Sequence, residues 1–415
     1  MTYSTVFMIP NSSAIAILVY SAKALTLFLA YSAVALGSPA VGSDASLPNL
    51  GTTVRVGDLH AVISVNDQHV KWAATVFAPT ATDFLRIRIY VRGHVADTGW
   101  QFIVLDSANN IRDRVISTDF QGELDRRFAW TTRIPGRTAS VQLIAGPNVE
   151  ISGVEVGVDQ YIYQFQTPTV QNFVGGRDDR EDLVLAYGKT SDFYHWGRPV
   201  AELTFVSKDT QKETNCSAFL VNKTILVTNA HCVSEPWQTR TATATLGYET
   251  KSTDEQDFQI AKIIVTDRDL DYTLLRIDGN ADSWGFVEFG RALHPHQKLI
   301  LIQQPNGGPK KIAVRKCEIE SLSAPGITDK RTDFFHLCDT EGGSSGSPVM
   351  DSDTGLVVGL HQGGQWNPIG HDFHNLGVHS DLILKDIARS NPIVCSEIKA
   401  CADLASKSNS IPKTF

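Results

Sequence analysis

Two short motifs that lie far apart in the 415-residue chain place the strongest limits on its fold. One is Thr228-Asn229-Ala230-His231-Cys232, and the other is the run TEGGSSGSP at residues 340–348. A serine hydroxyl is a weak nucleophile near neutral pH, so it needs an imidazole that takes its proton and a carboxylate that orients the imidazole. If the two motifs act together, the fold must bring His231 and Ser345 into one site.

A candidate for the carboxylate lies between the two motifs. Asp271 comes directly before the apolar run YTLLRI at residues 272–277, which is typical of a buried strand. An acid at the start of such a strand can be buried and can orient His231. Asp267 and Asp269 precede the same run and remain alternatives, although we expect them to lie in a solvated loop.

The order His231, Asp271, Ser345 distinguishes two classes of hydrolase. α/β-Hydrolases place the serine first and need a G-x-S-x-G turn, and here Ser347 stands where the last glycine would be. The three motifs instead resemble those of the trypsin-like serine peptidases. The SGSP ending of the serine motif is most similar to the bacterial glutamyl endopeptidase and V8-type group.

This resemblance implies an all-β fold, a chymotrypsin-like double β-barrel with the active site between the barrels. His231 and Asp271 would come from the first barrel and Ser345 from the second. The backbone N–H groups of Gly343 and Ser345 would form the oxyanion hole. The segment Gln362-Gly363-Gly364 matches the one that pairs with the extended substrate backbone in this family.

The residues of the expected specificity pocket give conflicting signals. Thr340 and His361 match positions that help to hold an acidic side chain in glutamyl endopeptidases. Asp339, six residues before the nucleophile, occupies the place where trypsin-like enzymes carry the acid that pairs with Lys or Arg. We expect cleavage after acidic residues, with Lys or Arg specificity as the alternative, although Asp339 and Glu341 would repel an acidic substrate.

The N-terminal part of the chain predicts export and a separate domain. Residues 1–40 are read as a signal peptide because an apolar stretch precedes the small residues GSPA at 37–40, and an uncleaved anchor is the alternative. Period-2 alternation, clearest at residues 84–91, predicts a β-sandwich over 45–165. The expected remainder is a linker at 166–182, the peptidase domain at 183–394 and a C-terminal tail at 395–415.

The junction also bears on activation. Trypsin-type zymogens pair a new N-terminus with an acid directly before the nucleophile, and here that residue is the uncharged Ser344. That switch is therefore not expected. The segment 173–180 still resembles the beginning of mature V8-type enzymes, so we expect a zymogen that is cleaved near Asn172 or Phe173.

Six cysteines fit an oxidising compartment. We expect the pairs Cys216–Cys232, Cys317–Cys338 and Cys395–Cys401, although six cysteines allow fifteen pairings. Neither a metal ion nor a cofactor is predicted. His371, His374 and His379 lack a clear carboxylate partner and are read as loop residues.

The composition narrows the partners. A formal net charge of -8 without a basic run argues against nucleic acid. The predicted partner is a protein or peptide substrate, without stable membrane association after signal removal, and the oligomeric state is left open. Three functions are weighed: a secreted or periplasmic serine endopeptidase, a catalytically silent homologue that binds proteins, and an adhesive sandwich module that carries the peptidase.

Overall fold

The computed structural model shows two compact units. The first is drawn from residues 1–45, 51–166 and 211–213, and the second from 46–50, 167–210 and 214–415. The residues that the structure describes are 3–8, 15–21, 24–25, 51–62, 69–78, 82, 84–93, 99–123, 126–146, 149, 154–164, 178–250, 254–290, 293–326, 328, 330–367 and 372–409. Most of the predicted linker at 166–182, including Asn172 and Phe173, lies outside the described residues.

The first unit consists of two sheets. Its strands are β1 (Tyr3–Met8), β2 (Ile15–Ser21), β3 (Ala24–Leu25), β4 (Gly51–Val62), β5 (His69–Phe77), β6 (Phe84–Arg92), β7 (Trp100–Asp106), β8 (Ile111–Ile116), β9 (Gln121–Glu123), β10 (Arg126–Trp130), β11 (Ile134–Pro135), β12 (Thr138–Ala145) and β13 (Glu155–Gln164). One sheet has the order β3-β2-β1-β5-β12-β7-β8, and the other β4-β13-β6-β10-β9, with β11 on β6.

Apolar side chains at alternate positions of β6 contribute to the core of this unit. Leu85, Ile87 and Ile89 point into one hydrophobic cluster, which also contains Val141 and Leu143 of β12 from the other sheet. Side chains alternate across a strand, so a period of two buries one face of each sheet. The predicted β-sandwich is confirmed.

Two arginines on the other face of β6 form ion pairs with a neighbouring strand. Arg88 forms an ion pair with Asp159 at 2.8 Å, and Arg92 pairs with Glu155 at 3.3 Å, both acids lying on the neighbouring β13. These cross-strand pairs satisfy the cations internally.

Part of the predicted signal segment is described as strands. Within residues 1–40, β1 pairs in parallel with β5, and β2 pairs with β1 in antiparallel register. The rest of 1–40 lies outside the described residues. Cleavage of this segment is a matter of processing and stays a prediction.

The second unit contains fourteen strands and six helices among the described residues. The strands are β14 (Glu181–Asp182), β15 (Val200–Val206), β16 (Glu213–Asn222), β17 (Ile225–Thr228), β18 (Thr243–Leu246), β19 (Gln256–Asp267), β20 (Tyr272–Ile277), β21 (Leu299–Gln303), β22 (Lys311–Ala313), β23 (Ile319–Ala324), β24 (Asp333–His336), β25 (Pro348–Asp351), β26 (Val357–Asn367) and β27 (Asp372–His379). The helices are α1 (Leu183–Tyr187), α2 (Asp192–Gly197), α3 (Gln238–Thr241), α4 (Ser380–Ser390), α5 (Pro392–Glu397) and α6 (Lys399–Asn409).

These strands form two barrels. The first is closed in the order β15-β16-β17-β20-β19-β18. The second follows β21-β25-β26-β27-β24-β23, with β22 and β14 added beside β21. An antiparallel bridge between Lys298 and Glu318 connects the start of β21 to the start of β23 and closes the second barrel. The predicted double β-barrel is confirmed.

The predicted C-terminal tail at 395–415 is helical as far as the structure describes it. Residues up to 409 fold as α5 and α6, and Cys395, Ile398 and Cys401 are buried in a core cluster with Ile383 and Ile387 of α4. The apolar spacing of this segment therefore packs it onto the second unit. None of the helices among the described residues has the length and apolar character that a membrane-spanning helix needs.

Candidate active site

His231 and Asp271 meet at one end of the first barrel. His231 follows β17, Asp271 precedes β20, and the two strands are paired with Thr228 opposite Thr273. The Nδ1 atom of His231 lies 2.7 Å from Oδ2 of Asp271, and the backbone N–H of His231 donates to Oδ1 of the same carboxylate at 2.9 Å. Asp271 is only 1% exposed, so this buried carboxylate fixes both the loop and the ring of His231.

Asp271 also has an unusual backbone conformation. Its φ angle is +47°, in the left-handed region, which Asp tolerates better than most residues. The side-chain amide of Asn229 donates to the carbonyl oxygen of Asp271 at 2.8 Å. This hydrogen bond supports a conformation that aims the carboxylate at His231.

A disulfide bond supports the histidine loop. Cys232, next to His231, is bonded to Cys216 of β16. Among the described residues, the one group of side chains close enough to share a metal ion is Cys216, His231 and Cys232. Both sulfurs are already joined to each other, so they cannot act as thiolate ligands.

Ser345 lies on a tight turn directly before β25. The N–H of Ser217 donates to the Ser345 carbonyl at 2.7 Å, and the N–H of Gly346 donates to the His361 carbonyl at 2.9 Å. Gly346 has φ +86°, and a Cβ there would lie 2.1 Å from the carbonyl oxygen of Ser217. Only glycine allows this close approach between the serine turn and β16.

The hydroxyl of Ser345 points towards β26. It donates to the carbonyl oxygen of Gln362 at 3.1 Å and, within the described residues, makes no hydrogen bond to His231. Thr228, three residues before His231, donates its hydroxyl to the Ser217 carbonyl at 2.8 Å. Ser217 therefore connects the strand that leads to His231 with the turn that carries Ser345.

Two N–H groups beside Ser345 are presented together. The Gly342 carbonyl accepts from the N–H of Asn306 at 2.7 Å, and the Ser344 carbonyl accepts from the N–H of Ser347 at 3.1 Å. A trans peptide places N–H and C=O on opposite sides, so the N–H groups of Gly343 and Ser345 point away from these contacts. Neither finds a backbone acceptor in the loop contacts of the described residues. This geometry suits an oxyanion site.

Thr340 and His361 are both buried and both bonded to polar partners. Thr340 donates its hydroxyl to Oδ1 of Asn375 at 2.8 Å. His361 Nδ1 lies 3.2 Å from Nε2 of His336. Burial is the main reason that the pKa of His336 falls to about 3, and burial, His336 and His231 together hold the pKa of His361 well below its usual value. Both imidazoles are neutral at physiological pH.

The two acids near the pocket have partners of their own. The Asp339 carboxylate accepts from the backbone N–H of Asp179 at 2.9 Å, and burial raises its pKa. Glu341 forms an ion pair with Arg180 at 2.6 Å. The charge of Glu341 is thus compensated, which corrects the expectation that it would repel an acidic substrate.

The segment Gln362-Gly363-Gly364 lies beyond the part of β26 that pairs with β25. β25 pairs with β26 only as far as Leu360, whereas β27 pairs with the other edge of β26 up to Asn367. A register shift lies between His361 and Gly363, and a Cβ on Gly363 would meet nothing within 4 Å. An extended peptide can add to such an edge.

A family model described as "Trypsin-like peptidase domain" matches residues 216–360, which carry all three motifs. This part of the chain is similar to a trypsin-like peptidase domain. The second unit also contains strands and helices on both sides of the match.

Two curated proteins are similar to part of the chain. A secreted RxLR effector protein 73 of Plasmopara viticola is 30% identical over 110 residues, which is 25% of this chain and 27% of that protein. The uncharacterized protein y4fB of Sinorhizobium fredii is 25% identical over 166 residues, or 36% of this chain and 25% of that protein. The chain thus spans about a quarter of the length of the curated relatives that it matches.

Solved protease structures also resemble the chain. The active form of the Rv3671c protease from M. tuberculosis has a TM-score of 0.39 and 16% identity over 54% of this chain and 92% of its own. A Glu endopeptidase in complex with MPD has a TM-score of 0.39 and 15% identity over 53% and 99%. Likeness at this level carries no argument about function.

The remaining predicted residues fall in ordinary places. The disulfides Cys317–Cys338 and Cys395–Cys401 are formed, as expected. His374 bonds Glu320 at 2.6 Å and His379 bonds the Leu322 carbonyl at 3.0 Å, while His371 lies outside the described residues. The expectation of loop residues without a carboxylate partner was wrong for His374 and His379, because both lie in β27 and His374 pairs with Glu320.

Sequence reasoning missed three side chains around the peptidase site. Arg180, His336 and Asn375 contact Glu341, His361 and Thr340 respectively. No local motif marks them, since each partner is distant in sequence. The one signal in the sequence was Arg180 in the run RDDRED at residues 177–182, because a cation among acidic residues is typical of an ion pair.

Proposed function

We propose that this protein is a secreted serine endopeptidase in which Ser345, His231 and Asp271 act together. The observation that carries the proposal is the double hydrogen bond of the buried Asp271 carboxylate to the ring and the backbone of His231. A carboxylate in this position fixes the tautomer and stabilises the imidazolium that forms during attack. The trypsin-like peptidase domain supports the same chemistry.

The reaction would proceed by two acyl-transfer steps. Ser345 Oγ leaves the Gln362 carbonyl and attacks the scissile carbonyl carbon, while its proton passes to Nε2 of His231. The C–N bond then breaks as His231 returns this proton to the leaving amine. Water then gives a proton to His231 and attacks the acyl carbon, and the ester bond breaks as His231 returns this proton to Ser345 Oγ. The N–H groups of Gly343 and Ser345 would stabilise the oxyanion in both steps.

Labelling with a fluorophosphonate tests this proposal. The wild-type protein should be labelled on Ser345, and Ser345→Ala and His231→Gln should not react. Ser347→Ala is the matched control, because its buried hydroxyl lies two residues away and has no hydrogen-bond partner among the described residues. Loss of label in Ser347→Ala with retention in Ser345→Ala would overturn the assignment.

For specificity, we propose cleavage after acidic residues. A substrate carboxylate would replace Asn375 as acceptor of the Thr340 hydroxyl and would accept a hydrogen bond from an N–H of the neutral His361, while Arg180 compensates Glu341. The Asp339 carboxylate already accepts a hydrogen bond from the backbone N–H of Asp179. Digestion of a peptide library with product sequencing tests this preference: cuts after Glu or Asp support it, and cuts after Lys or Arg would assign the pocket to Asp339 instead.

We further propose that the protein is secreted or periplasmic and acts on protein or peptide substrates. Three disulfide bonds support an oxidising compartment. Removal of a signal peptide and zymogen cleavage near Asn172 or Phe173 belong to the same proposal. N-terminal sequencing of the exported protein tests both, since an intact N-terminus would contradict them.

The two rival functions predict different results in the same assays. A catalytically silent homologue would bind peptides without reacting with the fluorophosphonate. An adhesive sandwich would bind its ligand equally well in wild type and Ser345→Ala. Neither rival function accounts for the two hydrogen bonds that join the buried Asp271 carboxylate to His231.

A further inference from the structure

The short segment 178–182, which we name the anchor segment, is fixed to the second barrel. Its strand β14 pairs with β22, with Glu181 opposite Ile312 and Asp182 opposite Lys311. Leu183, which follows, is fully buried. The backbone of the anchor segment is therefore held in place on the second barrel.

Arg180 of the anchor segment reaches the nucleophile loop, which we define as residues 339–347. Its guanidinium donates to Glu341 Oε2 at 2.6 Å and to the two oxygens of Asp178 at 2.8 and 3.1 Å. The side chains of Arg180 and Glu341 are only 1% and 6% exposed. A buried charge needs its partner, so neither residue can leave without a cost to the other.

A second contact joins the same two segments. The backbone N–H of Asp179 donates to Oδ2 of Asp339 at 2.9 Å. Adjacent residues of the anchor segment thus hold two positions of the nucleophile loop, on either side of Thr340. Both contacts are made to residues that come shortly before the oxyanion donors.

The hydrogen bonds inside the loop carry this restraint to Ser345. The N–H of Glu341 donates to Ser344 Oγ at 3.0 Å, and the N–H of Ser344 donates to the Glu341 carbonyl at 3.0 Å. Ser344 Oγ in turn donates to Gln303 of β21 at 2.5 Å. A displacement of Glu341 would therefore move Ser344 and the peptides on both sides of it.

We propose that Arg180 is a positioning residue that sets the oxyanion site through its ion pair with Glu341. This inference rests on the proposed function and deepens it. In trypsin-type enzymes a new N-terminus organises this loop by pairing with an acid directly before the nucleophile. Here that position is the uncharged Ser344, and we assign the same task to the internal Arg180. The loop is then organised by a side chain of the anchor segment and needs no free amino group.

The test compares Arg180→Gln, Glu341→Gln and the double variant in the full chain, with active sites titrated. We expect kcat to fall about 100-fold in each single variant, as for loss of an oxyanion donor, with KM within about threefold. The double variant should be no slower than the slower single variant, because one contact transmits the effect. Arg315→Ala is the control: it removes the exposed pair with Glu181 in the same anchor segment and should leave kcat unchanged.

Amide hydrogen exchange provides a readout that needs no catalysis. In Arg180→Gln the amides of Ser344, Gly346 and Ser347 should exchange at least about tenfold faster, while those of β20 keep their protection. If Arg180→Gln does not fold, Glu341→Gln carries the test, because Arg180 keeps Asp178 as a partner.

The outcomes separate this inference from the proposed function. Absence of labelling in the wild type, with exchange confined to the nucleophile loop in the variants, would reject the peptidase and keep the positioning role. Additive losses in the double variant, unchanged kcat and exchange, or exchange raised equally throughout the chain would each overturn the positioning role.

Discussion

The side-chain amide of Asn229 donates to the backbone carbonyl of Asp271 at 2.8 Å, across 42 residues of sequence. The two residues belong to the loops that follow β17 and precede β20. Asn229 therefore couples the backbone of the acid to the loop of the base that the acid orients. The orientation of His231 depends on this backbone contact as well as on the carboxylate.

Substitutions at these two positions should have graded effects on catalysis. Asp271→Asn should lower kcat about 10⁴-fold because an amide favours the wrong tautomer of His231. Asn229→Ala leaves the carboxylate but frees its backbone, and we expect a loss of up to about 100-fold from misplacement. Steady-state kinetics on an ester substrate measure both, and an unchanged kcat in Asn229→Ala would contradict the coupling.

Gly343→Ala should damage the oxyanion site with little effect on substrate binding. Gly343 has φ +89°, and a Cβ there would lie 2.5 Å from Nδ2 of the buried Asn215. The peptide must move, and loss of one donor typically lowers kcat 100-fold to 1,000-fold, or about 3 to 4 kcal/mol of barrier. Gly363→Ala is the steric control, since open space surrounds that position. The midpoint of its denaturant unfolding should equal that of the wild type. An active Gly343→Ala would remove Gly343 from the oxyanion site.

The disulfide bonds should differ in their contribution to stability. Cys216–Cys232 closes a sequence separation of 16 residues, and Cys395–Cys401 one of 6. Chain entropy predicts losses of about 3 and about 2 kcal/mol when each pair is replaced by alanine. Denaturant unfolding measures both. The first replacement should also reduce activity, because Cys232 adjoins His231, and equal activity in the two variants would argue against this.

Asp333 should make the fold less stable above pH 6 than below pH 4. Burial, together with the charge of Asp271, raises the pKa of Asp333 from 3.8 to about 6. The folded state therefore favours the protonated form, and ionisation above the folded pKa costs about 3 kcal/mol of the free energy of unfolding.

The matching variant is Asp333→Asn, which cannot ionise. It should be more stable than the wild type at about pH 7.5. The difference should vanish below about pH 4, where the carboxyl group of Asp333 becomes neutral in both the folded and the unfolded state. Urea unfolding across this range measures the difference. An advantage of Asp333→Asn that is independent of pH would show that the ionisation of Asp333 is not its cause.

Selection of an acidic substrate should not depend on protonation of His361. Burial and two neighbouring imidazoles hold the pKa of His361 well below its usual value, so it acts as a neutral hydrogen-bonding group. The ratio of kcat/KM for peptides with Glu and with Gln at the cleavage position should stay constant between about pH 5 and 8. A ratio that rises steeply as the pH falls through this range, in the wild type and equally in Asp339→Asn, would show that His361 becomes charged.

Local patterns predicted individual strands well. The run at 272–277 coincides with β20, and the alternation at 84–91 falls within β6, Phe84–Arg92. Helices α1 and α2 were missed, since five and six residues are too few to show a helical period.

The polar contacts around the site could not be predicted in the same way. Arg180 and Glu341 are 161 residues apart in sequence, and His336 and His361 are 25 apart. Such pairs follow from which strands the barrels bring together, and no periodicity encodes them. The position of the nucleophile was visible because its chemistry requires a recognisable run of small residues, whereas a supporting cation can come from any element.

Barrel closure has a practical consequence for recombinant fragments. A fragment trimmed to 216–360 would lack β15 and β27, so neither the ring of the first barrel nor that of the second could be completed. It would also discard Arg180 and cut β26 at the start of the edge offered to a peptide. A fragment intended to retain the catalytic chemistry should begin before residue 178 and extend through the last helix at 409.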